Sequence, residues 1–269
     1  MRQWKSKLDN HGLLLDADPE RLTNLRYADD LLLFANSCEE AAEMFEMLSV
    51  ELARAGLSIN GAKTKILTTD SDVLDRNTPL LLDAGDCMLE VLCGDATHKY
   101  LGRLFPGDLR NRGKANLSHR LACGWFKFHT LAPTLLNRKL PIILRLKLFD
   151  SVVSPTVTYS LSTTPLTGVQ LSMLDATQRK MIRRMVGWVR FDDESWEVTG
   201  QRMKARLESA LHRFPVRPWS VARAAQRDQI VHKLQSGLAP RVAQMAYQWS
   251  PADAALQRGP GRPRQRWYE

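Results

Sequence analysis

The sequence is most informative first in what it lacks. Its four cysteines, Cys38, Cys87, Cys93 and Cys123, include no Cys-x-x-Cys pair, and four in 269 residues are too few for a disulfide scaffold. Cys87, Cys93, His98 and His119 fall at none of the usual zinc-ligand spacings, so reduced thiols are expected. Long apolar runs are also missing. The longest uncharged stretch, Ser151 to Leu174, is interrupted by Pro155, Pro165 and Gly168, and it falls short of the roughly 18 continuous apolar residues that suggest a membrane span. No membrane span is expected. The opening residues, Met1 to Gly12, are charged and lack the apolar stretch of a secretory leader. An intracellular protein is the expectation.

What is present is an ordinary apolar content, 44%, and an unusual division of charge. Up to Thr97 there are 9 basic and 18 acidic residues, a balance of 9 − 18 = −9; from His98 onward there are 29 and 11, or 29 − 11 = +18. Such asymmetry suggests that the second half faces a polyanion. Nucleic acid is the leading candidate.

The order of elements reads as an α+β unit followed by helices. Leu22 to Tyr27 and Leu31 to Ala35 form a hairpin with Ala28, Asp29 and Asp30 at its tip. From Asn36 the pattern turns helical: Ser37 and Glu40 have capping-box spacing, Ala41, Met44, Phe45, Leu48, Leu52 and Ala55 recur on one face, and Gly56 ends the run. Leu57 to Asn60 and Lys65 to Thr69 read as extended, around the turn Gly61-Ala62-Lys63. Met88 to Leu92 and Lys99 to Phe105 are expected to pair as a second hairpin. Beyond Pro106-Gly107-Asp108 helices dominate, with a break at Pro133 and a start near Pro141. Between Leu171 and Val186, Leu171, Leu174, Met181, Ile182, Met185 and Val186 share one helical face, while Arg179, Lys180, Arg183 and Arg184 share the other. That separation suits a helix lying along phosphates, and equally a solvated surface. Among Trp125, Phe126 and Phe128, burial in the helical core is preferred over stacking on bases. The tail from Arg258 is cationic and rich in Gly and Pro, read as disordered before it is read as a minor-groove arm.

Two adjacent aspartates between apolar strands need a reason, since like charges crowded in a tight turn oppose one another. Hydrogen bonding to turn amides is one; holding Mg²⁺, which takes hard carboxylate oxygens, is the other. Here the residues resemble a family. Tyr27-Ala28-Asp29-Asp30 resembles the Y-x-D-D motif of reverse transcriptases, in a context similar to that of non-LTR, LINE-like retrotransposons. The segment Gly56-Leu57-Ser58-Ile59-Asn60-Gly61-Ala62-Lys63-Thr64 is similar to the family's G-L-x-x-N-x-x-K-T, and Tyr100-Leu101-Gly102 looks like the Y-L-G hairpin that closes the palm. Lys147 to Tyr159 resembles the thumb, and Gly261 to Trp267 resembles a C-terminal G-R-P-x-x-R-W motif.

The resemblance implies an RNA-directed DNA polymerase acting on an RNA template, a DNA primer and deoxynucleoside triphosphates, with two Mg²⁺ ions in the complete site and a nuclear place of action. It implies Asp29 as metal ligand with Asp30 beside it, and Tyr27 near the primer terminus. It also implies Lys63 toward the triphosphate, alternatively a solvated turn lysine, and Tyr100, Leu101 and Gly102 as primer grip. Phosphate contacts would come from Arg179, Lys180, Arg183 and Arg184 and from Arg262, Arg264 and Arg266. The expected divisions are a partial palm over 1–105, a helical thumb over 106–190 and a basic connector with its tail over 191–269. One departure stands out: Asp9, Asp16 and Asp18 lie too close to the hairpin to supply the upstream palm carboxylate. The expectation is a C-terminal reverse transcriptase portion with little polymerisation of its own. A non-catalytic nucleic-acid-binding remnant and a group II intron maturase are the alternatives, and the Gly261–Trp267 motif speaks against the latter.

Overall fold

The computed structural model describes residue 4 and residues 6–8, 10–15, 21–68, 80–83, 88–93 and 96–248, with backbone only at 80–82. The chain divides into two units, Met1–Asn111 with Val231–Gln265, and Arg112–Ile230 with Arg266–Glu269. Small sheets lie in the first and helices fill the second. Among the described residues no helix is long and apolar enough to cross a membrane.

In the first unit, β1 (Asn24–Tyr27) and β2 (Asp30–Leu33) pair antiparallel with Tyr27 opposite Asp30. The turn is therefore Ala28-Asp29 alone, and Asp30 opens the second strand. Leu31 and Leu33, two apart on β2, pack against Trp4, Leu8, Met44 and Leu48, as the period-two alternation of a strand requires. Met44 and Leu48 belong to α1 (Cys38–Arg54), which the Ser37 side chain caps by accepting from the Glu40 amide at 3.1 Å. The Glu40 carboxylate does not close the capping box. It accepts from the Asn36 amide at 2.6 Å and from the Gly12 amide at 2.5 Å, tying the start of α1 to the segment that precedes the hairpin. Gly12 has φ +91°, and a Cβ there would meet the Leu22 carbonyl at 2.6 Å, so only glycine fits.

The second expected hairpin is re-paired. β5 (Met88–Leu92) is the centre of a three-stranded sheet, parallel to β3 (Lys65–Leu67) and antiparallel to β4 (Leu80–Asp83). The hairpin instead joins β6 (Thr97–Tyr100) to β7 (Arg103–Pro106). Leu89, Val91 and Leu92 are all buried, which marks β5 as a central strand and not an edge. Leu57 to Asn60 forms no strand.

In the second unit, α2 (Arg112–Thr130) and α3 (Ala132–Leu135) meet at Leu131, with Pro133 in the first turn of α3 where its missing N–H costs little. The segments α4 (Ile142–Leu148) and α5 (Ser154–Thr158) are joined by a π-helical turn over Phe149–Val153, immediately before Pro155. α6 (Gly168–Val186) opens with a full capping box from Thr167 and Gln170. α7 (Trp196–Arg213) and α8 (Trp219–Gln235) follow, with α9 (Arg241–Gln248) beyond. Phe128, Phe149, Met181, Met185 and Trp219 form the centre of the core. Trp219 stacks on Phe149 at 6.0 Å and donates its indole N–H to Ser154 Oγ at 2.9 Å, so the buried ring keeps its polar atom satisfied.

Candidate functional site

The two short hairpins of the first unit share a design. Each has a two-residue turn entered from a tyrosine, Tyr27 in one and Tyr100 in the other. Leu101 (φ +46°) and Gly102 (φ +77°) both have positive φ, the sign pattern of a type I′ turn whose twist matches the flanking strands. Ala28 has φ +54°, uncommon for a residue with a Cβ and a small store of strain at the carboxylate turn. Tyr27, Asp29 and Asp30 are exposed.

The hairpins lie within electrostatic reach of each other. Burial, and then the negative charge of Asp30, push the Tyr100 phenol above its ordinary value. Asp30 and Tyr100 are 70 residues apart in the chain, so folding alone brings the charge of Asp30 to bear on the Tyr100 phenol. Sequence spacing carries no signal for this meeting.

Lys63 ends a 3-10 turn over Gly61–Lys63 and is exposed. Asn60 builds that turn: its side chain accepts from the Lys63 amide at 3.2 Å, and its carbonyl accepts from the Thr64 hydroxyl at 3.0 Å. The role of Asn60 is thus conformational, and an Asn immediately before a Gly-Ala-Lys turn is the signal that could have shown it. No hydrogen bond or ion pair joins Lys63 to Asp29 or Asp30 among the described residues.

With regard to a metal, Asp29 and Asp30 offer hard oxygens, and the described residues hold no cluster of three or more potential ligands. Mg²⁺ is commonly held by one or two carboxylates with substrate phosphates and water. The pair fits one such ion.

In the second unit, the two faces of α6 separate as expected. Leu174, Met181, Ile182, Met185 and Val186 are buried, while Arg179, Lys180, Arg183 and Arg184 are exposed. The basic stripe does not stand alone. Lys180 and Arg184 lie over the half-buried Trp125 ring at 6.0 and 5.6 Å, and the His129 ring stacks with it at 5.7 Å. Phe128 is fully buried, but Phe126 departs from the core preference at 75% exposure. It faces outward because the buried stripe of α2 runs through Leu117, Leu121, Gly124 and Phe128, and 126 falls off that stripe. Arg262, Arg264 and Arg266 lie outside the described residues.

Comparison with known proteins bears on the first unit. Residues 2–104 match the family described as Reverse transcriptase (RNA-dependent DNA polymerase). Over 208 residues the chain is 28% identical to a transposon-derived protein of Caenorhabditis elegans, an alignment covering 75% of this chain and 65% of that protein. The chain therefore spans just under two thirds of that relative. Tyr27 to Asp30 and Tyr100 to Gly102 both fall inside the reverse transcriptase match, and the helical unit from Arg112 lies beyond it.

Proposed function

We propose that this chain is the palm and thumb portion of an RNA-directed DNA polymerase of a non-LTR, LINE-like retrotransposon. The observation that carries the reading is the hairpin with Asp29 in its turn and Asp30 opening β2, within electrostatic reach of Tyr100 and inside the segment that matches reverse transcriptases. Asp29 and Asp30 would hold Mg²⁺, which when bound lowers the pKa of a primer hydroxyl and offsets charge on the reacting phosphate. Ala28 and Asp29 fix the carboxylates at a rigid two-residue turn, so little reordering is needed to bind. The Leu101-Gly102 turn presents backbone to a primer strand, and Gly102 allows close approach. Lys63 would supply positive charge toward a triphosphate. The stripe Arg179, Lys180, Arg183 and Arg184 contributes sequence-independent phosphate contacts to the template–primer duplex. The corresponding domains are the palm over 1–105, thumb over 106–190 and connector over 191–269, in a protein that acts in the nucleus.

Two-metal nucleotidyl transfer needs a further carboxylate beside the pair, so the isolated chain is proposed to polymerise little. The test is primer extension by the purified chain on an RNA template with Mg²⁺, alongside Mn²⁺ broadening of assigned amide resonances. Broadening centred on Tyr27 to Asp30, abolished in Asp29→Asn, with no more than trace extension, is expected. Broadening centred elsewhere refutes the metal assignment, and robust extension lost in Asp29→Asn refutes the proposed inactivity. The exposed basic stripe beside Trp125 also favours a second reading, a non-catalytic nucleic-acid-binding protein. Salt-dependent duplex binding without any effect of Mn²⁺ at the hairpin would select it.

A further inference from the structure

A cavity of about 210 Å³ in the helical unit is lined by Ile142, Arg145, Val186, Arg206, Ser209, Ala210 and Arg213. Three of these seven residues are arginines and none is acidic. On α7, residues 206, 209, 210 and 213 follow i, i+3, i+4, i+7 spacing, so one helical face supplies both outer guanidiniums. The floor is Arg145, only 6% exposed. Its Nε donates to the Leu140 carbonyl at 3.1 Å, and its Nη1 donates to the carbonyls of Leu135 (3.1 Å) and Met185 (2.6 Å). The last two are C-terminal carbonyls of α3 and α6, whose partial negative charge helps to hold a buried cation. The second amino group, Nη2, makes no hydrogen bond among the described residues, and the side chain borders the cavity.

No acidic side chain lines the cavity, and Arg206 and Arg213 are exposed. Arg145 is held below the usual arginine range by burial first, then by repulsion from Arg206 and Arg138. None of Arg138, Arg145, Arg206 and Arg213 makes an ion pair among the described residues. By contrast, Arg202 on the same α7 helix is paired with Glu194 at 2.6 Å. Crowding like charges around a half-enclosed space costs free energy unless an anion occupies it. Drug-sized ligands need pockets of about 300–1,000 Å³, so the space suits a small anion and not a whole nucleoside. Planar guanidiniums match phosphate oxygens in a bidentate way.

We infer that Arg145, Arg206 and Arg213, with Arg138 beside them, form a phosphate-binding site in the helical unit. The phosphate belongs either to a nucleic-acid backbone or to a free anion such as pyrophosphate. The site shares no residue with the aspartate hairpin and does not rest on the polymerase reading.

The test is isothermal calorimetry on the full chain with inorganic pyrophosphate, and in parallel with a short single-stranded oligonucleotide over a salt series. Arg206→Gln/Arg213→Gln leaves the buried Arg145 in place, and Lys204→Gln on the same helix controls for general loss of charge. Saturable pyrophosphate binding weakened at least tenfold in the double variant, and less than twofold in Lys204→Gln, supports a free-anion site. Weak pyrophosphate binding, with oligonucleotide affinity lost in the double variant and a salt slope reduced by about 2, supports a backbone phosphate. If neither ligand distinguishes the double variant from Lys204→Gln, the inference is overturned. Asp29→Asn is expected to leave both titrations unchanged, so failure here and failure of the polymerase reading are separable.

Discussion

Gly124 sets how closely α2 approaches its neighbours, and replacing it is expected to reverse the usual effect of glycine in a helix. In an open helix, Gly→Ala stabilises by about 1 kcal/mol. At Gly124 an added Cβ would collide with Val157 Cγ2, with Met181 Cε next at 3.8 Å. Val157 and Met181 are both fully buried, so neither can swing into solvent. Overpacking of this kind costs about 1–3 kcal/mol, and Gly124→Ala is expected to lose up to about 2 kcal/mol after the propensity gain. Val157→Ala removes two buried carbons, about 1.6 kcal/mol at 0.8 per carbon, and the cavity left behind brings the loss to about 2–3 kcal/mol. The double variant puts the new methyl into the vacated space and is expected to lose only about 1 kcal/mol. Equilibrium urea unfolding followed by helical circular dichroism measures all four corners of the cycle. A coupling of about 2 kcal/mol supports the close crossing. If the double variant loses the sum of the single losses, Val157 does not fill the space over Gly124 and the packing argument is wrong. The crossing matters for the basic face as well, because Trp125, the next residue, carries Lys180 and Arg184 over its ring.

Two further changes test separate parts of the molecule. Glu194 is held down to about 2, first by its hydrogen bonds from Arg202, with Thr199 adding to them against the opposing effect of burial. A lowered carboxylate pKa gives stability that is full above the ordinary value near 4.5 and is lost as pH falls toward 2. The melting-temperature difference between wild type and Glu194→Gln should therefore be largest above pH 5 and shrink below pH 4; a gap independent of pH would exclude the ion pair as its source. Ala28→Gly should relieve about 1–2 kcal/mol of left-handed strain against about 0.5–1 kcal/mol of added chain entropy. A net gain of up to about 1 kcal/mol in unfolding free energy is expected, and a clear loss would contradict the positive φ at the carboxylate turn.

Local chemistry was legible in the chain because its causes are local. Ser37 as cap, the apolar face of α1, the break at Pro133 and the opposed faces of α6 each depend on residues within a turn or two of one another. The aspartate hairpin was readable for the same reason, although its turn proved to be two residues and not three. Strand pairing was not. Met88–Leu92 and Lys99–Phe105 are both short enough and close enough in the chain to pair in sequence order, and only the burial of Leu89, Val91 and Leu92 makes the former a central strand between β3 and β4. Phe126 and Phe128 likewise differ by two positions and end on opposite sides of the surface, a distinction set by where the neighbouring helices lie.

Composition and short-range periodicity carried the charge division, the reverse transcriptase-like motifs and the helices over 38–54, 112–130 and 168–186. Tertiary structure alone decided that the charge of Asp30 reaches Tyr100, that Glu40 ties the start of α1 to Gly12, and that Arg145, Arg206 and Arg213 line one cavity without an acid among them. These are meetings of residues far apart in the chain. Their energies depend on distance and burial, quantities that exist only once the chain has folded.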